Sequence, residues 1–340
     1  MIHLSSIPVE NNTPPEDWKS ILSQSKITTK ELLEYCKLDH HPLASSDAEG
    51  LFSLIVPRTY LEKIEKGNPN DPLLLQVLPQ KSEHIEVAGF TENPLKEDTF
   101  SPVKGLIHKY PNRVLLITTS ACVINCRYCF RRTFPYGEHR QSKAQWKDAL
   151  NYISQRKMIN EVILSGGDPL IQNNDSLFWL LSEIDAIAHI KRIRIHSRLL
   201  ISLPQRIDKE FVERFKMIKK QKIIVTHCNH SNELGDDVKI SIDALRSQNV
   251  TLLNQSVLLK SINDQPETLT ELSEALFDTG ILPYYLFLLD PVAGAAHFDI
   301  SLAQAKDIYK QLLTQLPGFL TPRLSIEIPG EQSKTPIGII

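Results

Sequence analysis

Residues 114–130 read VLLITTSACVINCRYCF. The apolar start, VLLIT at 114–118, has the pattern of a buried strand, and it delivers the chain into a loop whose thiols, Cys122, Cys126 and Cys129, are spaced CxxxCxxC. The same coupling of a β-rich run to a polar residue at its end recurs along the chain. EVILS (161–165) leads into Gly166 and Gly167, RIRIH (192–196) into Arg198, and IIVTH (223–227) ends on His227. TLLNQSVLL from Thr251 carries Gln255, and LPYYLFLLD from Leu282 ends on Asp290. Helix-period segments at 143–157, 176–189, 209–220, 237–248, 266–279 and 302–316 alternate with these runs. Six strand–helix units predict an α/β fold, a partial (β/α)6 parallel barrel whose C-terminal strand ends face the active site. A doubly wound open sheet places ligands by a similar rule, so alternation alone leaves both architectures standing.

A chain of 340 residues that is 41% hydrophobic can bury one large domain plus appendages. The expected division is a helical lead-in domain over 1–95, the barrel over 96–300, and a C-terminal helix, strand and lysine-bearing tail over 301–340. The lead-in is broken by prolines and shows helical patches at 16–23, 30–38 and 58–66, with Thr28 and Glu31 spaced as a capping box and a turn-rich stretch at 67–72. A formal charge of -2 gives no electrostatic pull toward nucleic acid or an anionic membrane. The start, MIHLSSIPVENN, has neither the basic end nor the apolar core of a secretory signal, and no window approaches the roughly 20 apolar residues of a membrane span. A soluble cytoplasmic protein is expected. Five cysteines, with Cys36 and Cys228 standing apart and given no role, argue for a reduced metal site over a disulfide framework.

Three thiols in one short loop converge only around a metal or a cluster. Fe–S clusters commonly take four thiolates, so three would leave one iron of a cubane open to a substrate or cofactor. Zinc with His108 or Cys228 as fourth ligand is the alternative, although zinc motifs usually pair their thiols in two separated knuckles. With Tyr128 just before the last cysteine, the loop resembles the signature of radical S-adenosylmethionine (SAM) enzymes. The resemblance implies a 4Fe–4S cluster whose open iron binds S-adenosylmethionine, and hydrogen-atom abstraction by a 5′-deoxyadenosyl radical. The run SGGDP, Ser165, Gly166, Gly167, Asp168 and Pro169, resembles that family's glycine motif at the methionine end of the cofactor; on turn chemistry alone it would equally be a plain turn.

Between about Asp71 and Gly338 the sequence resembles lysine 2,3-aminomutase, through DPLLLQVLP, SPVKGLIHKYPNRVLL, CRYCFRR, THCNHSNEL, NQSVLLKSIND, PYYLFLLD and PGEQSKTP in that order. Within that family the likeness is to the short form that supplies β-lysine for modifying elongation factor P. This implies a radical isomerase that uses pyridoxal phosphate to hold the migrating amino group, converts L-α-lysine to (R)-β-lysine and draws on an external one-electron reductant. The implied cofactor lysine is Lys334, in GEQSKTP. RLSIEI (323–328) alternates as a half-buried strand that would anchor this tail, and Pro329–Gly330 would turn it back toward the barrel mouth.

By the same resemblance Arg131 takes the substrate carboxylate, and Asp290 with Glu327 takes its distal ammonium. The family has an aspartate where this chain has Glu327, and a salt bridge to Arg323 is the competing account. Lys109, standing where an arginine is common, and Tyr110 match positions near pyridoxal phosphate; an exposed loop pair is the alternative. His227 and Gln255 match positions lining the S-adenosylmethionine pocket, against the alternative of a buried histidine satisfied by backbone groups, and Tyr128 joins the same cofactor set. The remaining histidines receive no role. Because the chain stops soon after Lys334, without the longer form's C-terminal extension, the zinc site of that extension is not expected and a homodimer is.

Overall fold

The computed structural model describes residues 17–133 and 143–339. Nine strands lie in one sheet in their chain order: β1 (Leu106–Tyr110), β2 (Arg113–Thr119), β3 (Glu161–Gly166), β4 (Arg192–Ser197), β5 (Gln221–His227), β6 (Val250–Val257), β7 (Leu282–Phe287), β8 (Arg323–Ile326) and β9 (Thr335–Pro336). Each pairing from β2 to β8 is parallel, and β1 and β9 add antiparallel edges. Strand order that never reverses has no switch point, so the doubly wound alternative falls and the partial barrel stands. The edges β1 and β9 do not pair with each other. The six runs read from sequence are β2 to β7, and RLSIEI supplies β8.

Twelve helices accompany the sheet among the described residues. The lead-in holds α1 (Trp18–Ser23), α2 (Thr29–Tyr35), α3 (Ser46–Leu51), α4 (Arg58–Leu61) and α5 (Pro72–Val77). The parallel crossovers hold α6 (Lys143–Ser154), α7 (Asn174–Ala186), α8 (Leu199–Ser202), α9 (Lys209–Lys216), α10 (Asp236–Arg246), α11 (Pro266–Thr279) and α12 (Leu302–Gln315). The capping box forms as expected: Thr28 Oγ1 accepts from the Glu31 N–H at 3.2 Å while Glu31 accepts from the Thr28 N–H at 2.7 Å. The helix expected at 58–66 is only the single turn α4, and Glu16 of the expected 16–23 helix lies outside the described residues. Turn chemistry hid α5, although its signal was present. Asp71 accepts from the N–H groups of Leu73 and Leu74 at 2.8 Å, and Pro72 sits at the first helical position.

Burial follows the strand period. In β4, Ile193 and Ile195 pack outward into an apolar cluster with Leu177 and Leu181 of α7, while Arg194 and His196 alternate onto the concave face. That cluster runs without a break from Trp18, Ile21 and Leu32 of the lead-in through Leu73 and Leu74 to Leu116, Leu164 and Ile224 of the sheet. Full burial of each such side chain stabilises by about 1.5–3 kcal/mol. A second cluster, with Leu286, Leu312, Leu316 and Leu324, clamps α12 onto β7 and β8. No helix among the described residues is long and apolar enough to cross a membrane.

Candidate active site

The concave side of the sheet encloses a cavity of about 590 Å³. Cys122, Cys126, Tyr128, Cys129 and Arg131 from the loop after β2 line it, with Ser165, Gly166, Gly167 and Asp168 from the end of β3. His227, Gln255 and Asp290 come from β5, β6 and the segment after β7, and Lys109 and Tyr110 from β1. Glu327 and Lys334 complete the wall from either end of the β8–β9 connection. The residues assigned to the cluster, the organic cofactors and the substrate therefore line one cavity, whereas His108, Cys228 and Arg323 do not, and Lys109 and Tyr110 are strand residues rather than an exposed loop pair.

The cysteine loop is moulded by the lead-in. Asn125 N–H donates to the Ile55 carbonyl at 3.0 Å and Arg127 N–H to the Gln76 carbonyl at 2.9 Å. The Arg127 guanidinium is buried against Glu83 and the carbonyls of Phe52 and Ala48, and Arg132 shares the same Glu83 carboxylate. No disulfide forms. Burial and the neighbouring sulfurs push the Cys122 thiol well up and that of Cys129 up to about 11. Thiols so disfavoured as free anions fit ligands of a positively charged centre, which an iron–sulfur cluster provides. Among the described residues no three His, Cys, Asp or Glu side chains are gathered for a single metal ion. The fourth ligands that zinc would need are engaged elsewhere: His108 Nδ1 lies 2.9 Å from the Tyr152 hydroxyl, and the buried Cys228 donates to the His230 carbonyl.

SGGDP is a turn that presses against this loop. Gly166 has φ +116°, and a Cβ there would lie 2.7 Å from the Thr119 carbonyl oxygen; one on Gly167 would overlap the Ala121 carbonyl. The Gly167 and Asp168 N–H groups link the two segments, donating to the Thr119 carbonyl at 2.7 Å and the Ala121 carbonyl at 2.8 Å. The Asp168 carboxylate accepts from Ser197 Oγ at 2.8 Å and from the N–H groups of Leu170, Arg198 and Leu199 at 3.1, 2.8 and 2.9 Å. Both its oxygens thus tie the end of β3 to that of β4, although burial pushes its carboxyl upward. Tyr128 is buried, its hydroxyl accepting from Asn229 Nδ2 at 2.7 Å and from Arg198.

Further along the wall, burial lowers His227 to about 4, with the Arg198, Lys334 and Arg131 cations adding to the effect. His196 is likewise held neutral, by burial first and then by Arg194. Among the described residues Gln255 Nε2 and His196 Nε2 lie out of solvent without a hydrogen-bond partner. These orphaned groups, together with the glycine strip beside the thiols, suit a polar nucleoside-bearing cofactor.

Opposite the thiols stands a charged cluster. Lys334 Nζ donates to Glu327 at 3.3 Å and lies 4.0 Å from the centre of the Phe287 ring. Glu327 also accepts from Lys109 Nζ at 2.8 Å and from the Tyr110 hydroxyl at 3.3 Å. Its ion-pair partners are these two lysines and not Arg323. Burial lowers the Lys334 ammonium despite Glu327 and Asp290. Burial would raise Glu327, but Lys334 and Lys109 outweigh it and leave the carboxyl below its ordinary value. Asp290 goes the other way, pushed up to about 7 by burial against the pull of Lys334. A half-buried amine of lowered basicity, an aromatic shelf and a second lysine suit an aldehyde cofactor bearing a phosphate.

Arg131 is held by a partner that the sequence did not suggest. Its Nε and Nη2 donate to the two oxygens of Glu97 at 2.9 and 2.7 Å, and its Nη1 to Ser165 Oγ at 3.2 Å. Glu97, Arg194 and His196 were all missed. For β4 the alternation Arg192, Arg194, His196 was the available signal; for Glu97 there was none.

The family model of the radical SAM superfamily matches residues 116–272 of the chain. The chain is 48% identical to L-lysine 2,3-aminomutase of Escherichia coli (strain K12), over 96% of this chain and 96% of that protein. It is 46% identical to the Haemophilus influenzae protein of that name, over 94% of this chain and 95% of that one. Against the Clostridium subterminale protein of the same name identity is 34%, over 94% of this chain and 77% of the relative.

Proposed function

The chain belongs to the L-lysine 2,3-aminomutases of the radical SAM superfamily, and from that premise we propose that this cavity isomerises L-α-lysine to (R)-β-lysine. When bound, the 4Fe–4S cluster and S-adenosylmethionine supply the hydrogen-abstracting radical, and pyridoxal phosphate supplies covalent hold on the migrating nitrogen. Cys122, Cys126 and Cys129 bind the cluster. Ser165, Gly166, Gly167, His227 and Gln255 seat S-adenosylmethionine, with Asp168 and Tyr128 keeping those segments in register. Lys334 offers its amine to the aldehyde, and Lys109 and Tyr110 face the phosphate.

Arg131 fixes the substrate carboxylate with its planar fork. Asp290 and Glu327 hold the distal ammonium, so the reacting carbons are clamped from both ends and a short-lived radical meets one hydrogen only. The observation that carries this reading is Lys334 itself, a half-buried amine of lowered basicity, paired with Glu327, that lines the same cavity as the three thiols. An external one-electron reductant, a cytoplasmic setting, a homodimer and delivery of the product to elongation factor P complete the proposal. The test is anaerobic incubation of reconstituted protein with lysine, dithionite and both organic cofactors. Chromatography is expected to show β-lysine. Borohydride is expected to trap the aldehyde on the peptide containing Lys334, and Lys334→Ala to lose both signals; β-lysine formation undiminished in that variant would refute the assignment.

A further inference from the structure

Arg198 follows β4, and its guanidinium, which the proposed roles leave unused, lies out of solvent. Its backbone N–H donates to Asp168 at 2.8 Å, which fixes where the side chain begins. Its Nη2 donates to Glu233 Oε2 at 2.9 Å and to Gln76 Oε1 at 2.8 Å. Its Nη1 donates to the Tyr128 hydroxyl and to Cys126 Sγ, the latter at 2.7 Å.

The partners are themselves fully occupied. Glu233 Oε1 accepts from the Asn229 N–H at 2.9 Å and from Gln76 Nε2 at 3.2 Å, and Gln76 Oε1 accepts from Asn229 Nδ2 at 3.1 Å. Swinging the guanidinium away from the sulfur would strand Glu233 as a buried charge without its partner, so the contact is built in rather than incidental.

We propose that Arg198 is a positioning residue that keeps a charge-assisted hydrogen bond on the Cys126 thiolate and so sets the reduction potential of the cluster; this rests on the reading of Cys126 as a cluster ligand. The oxidised cluster takes one electron from the external reductant, with no proton, and its thiolate-ligated unit becomes one charge more negative. A donor aimed at a ligand sulfur stabilises that reduced state more than the oxidised one and raises the potential. Glu233 tempers the effect by neutralising part of the guanidinium charge.

The experiment is an anaerobic redox titration of the reconstituted full chain, read by electron paramagnetic resonance before any S-adenosylmethionine is added, with iron and sulfide measured alongside. Arg198→Met is expected to move the midpoint to more negative potential, and Arg198→Lys to move it less. Glu233→Gln, which removes the tempering charge, is expected to move it the opposite way. Should Arg198→Met fail to hold a cluster, the Glu233→Gln shift decides alone: a rise supports the inference, and no rise overturns it. Unchanged midpoints in cluster-loaded variants, or a shift seen only after S-adenosylmethionine is added, also overturn it. Wild-type protein without iron and sulfide would instead strike at the ligand assignment.

Discussion

If Arg131 takes the substrate carboxylate as proposed, two carboxylates compete for its fork. Glu97 already accepts from its Nε and Nη2, so an incoming substrate carboxylate has to share or displace it. Glu97→Gln removes the rival charge, and the KM for lysine is expected to fall by ~3- to 10-fold, about 1 kcal/mol of charge-assisted hydrogen bonding, with kcat little changed. Steady-state kinetics decide the matter, since a raised KM would mean that Glu97 orients the fork instead. Asp290 adds a pH dependence. With its carboxyl pushed up to about 7, it is neutral below that pH and anionic above, and only the anion attracts an ammonium. Apparent lysine affinity is therefore expected to weaken as pH falls through 7, approaching ~10-fold per unit well below it. A KM profile flat from pH 8 to about 5.5 would remove Asp290 from the ammonium site.

Elements that were long and periodic could be read directly: β2 to β7 and the helices between them follow from alternation and helical spacing. The short ones escaped. α3 and α5 are only six residues each, and β1 reads as a loop because its hairpin partner begins after only Pro111 and Asn112. The hold of the lead-in on the cysteine loop was equally invisible, since Arg127 and Glu83 are 44 positions apart. That hold is substantial. Glu83→Ala leaves Arg127 and Arg132 buried without their shared counter-charge, and a loss of about 3–5 kcal/mol is expected. Urea unfolding of the apo-protein measures it, and a loss under 1 kcal/mol would show that the arginines find other partners.

Over the whole molecule, the continuous apolar cluster ties the lead-in to the sheet. Trp18 of α1 and Trp146 of α6 belong to it from opposite ends of the chain's first half. One cooperative transition is expected. Variants retaining only Trp18 or only Trp146 should show coincident urea midpoints, and separated midpoints would mean that the lead-in melts by itself. The candidate site was legible to the extent that its residues fall at strand ends or in short motifs. What stayed hidden were the pairings across the fold, such as Lys109 with Glu327, 218 positions apart.

That last pairing spans the gap in the sheet. β1 and β9 are its free edges, and Lys109 from β1 meets Glu327 beyond β8, which also holds Lys334. The hoop is left unsoldered and is fastened by a clasp of charge. A guest whose ammonium reaches Glu327 would meet a carboxylate already shared by two lysines, and would compete with the very charges that bridge the two ends of the hoop.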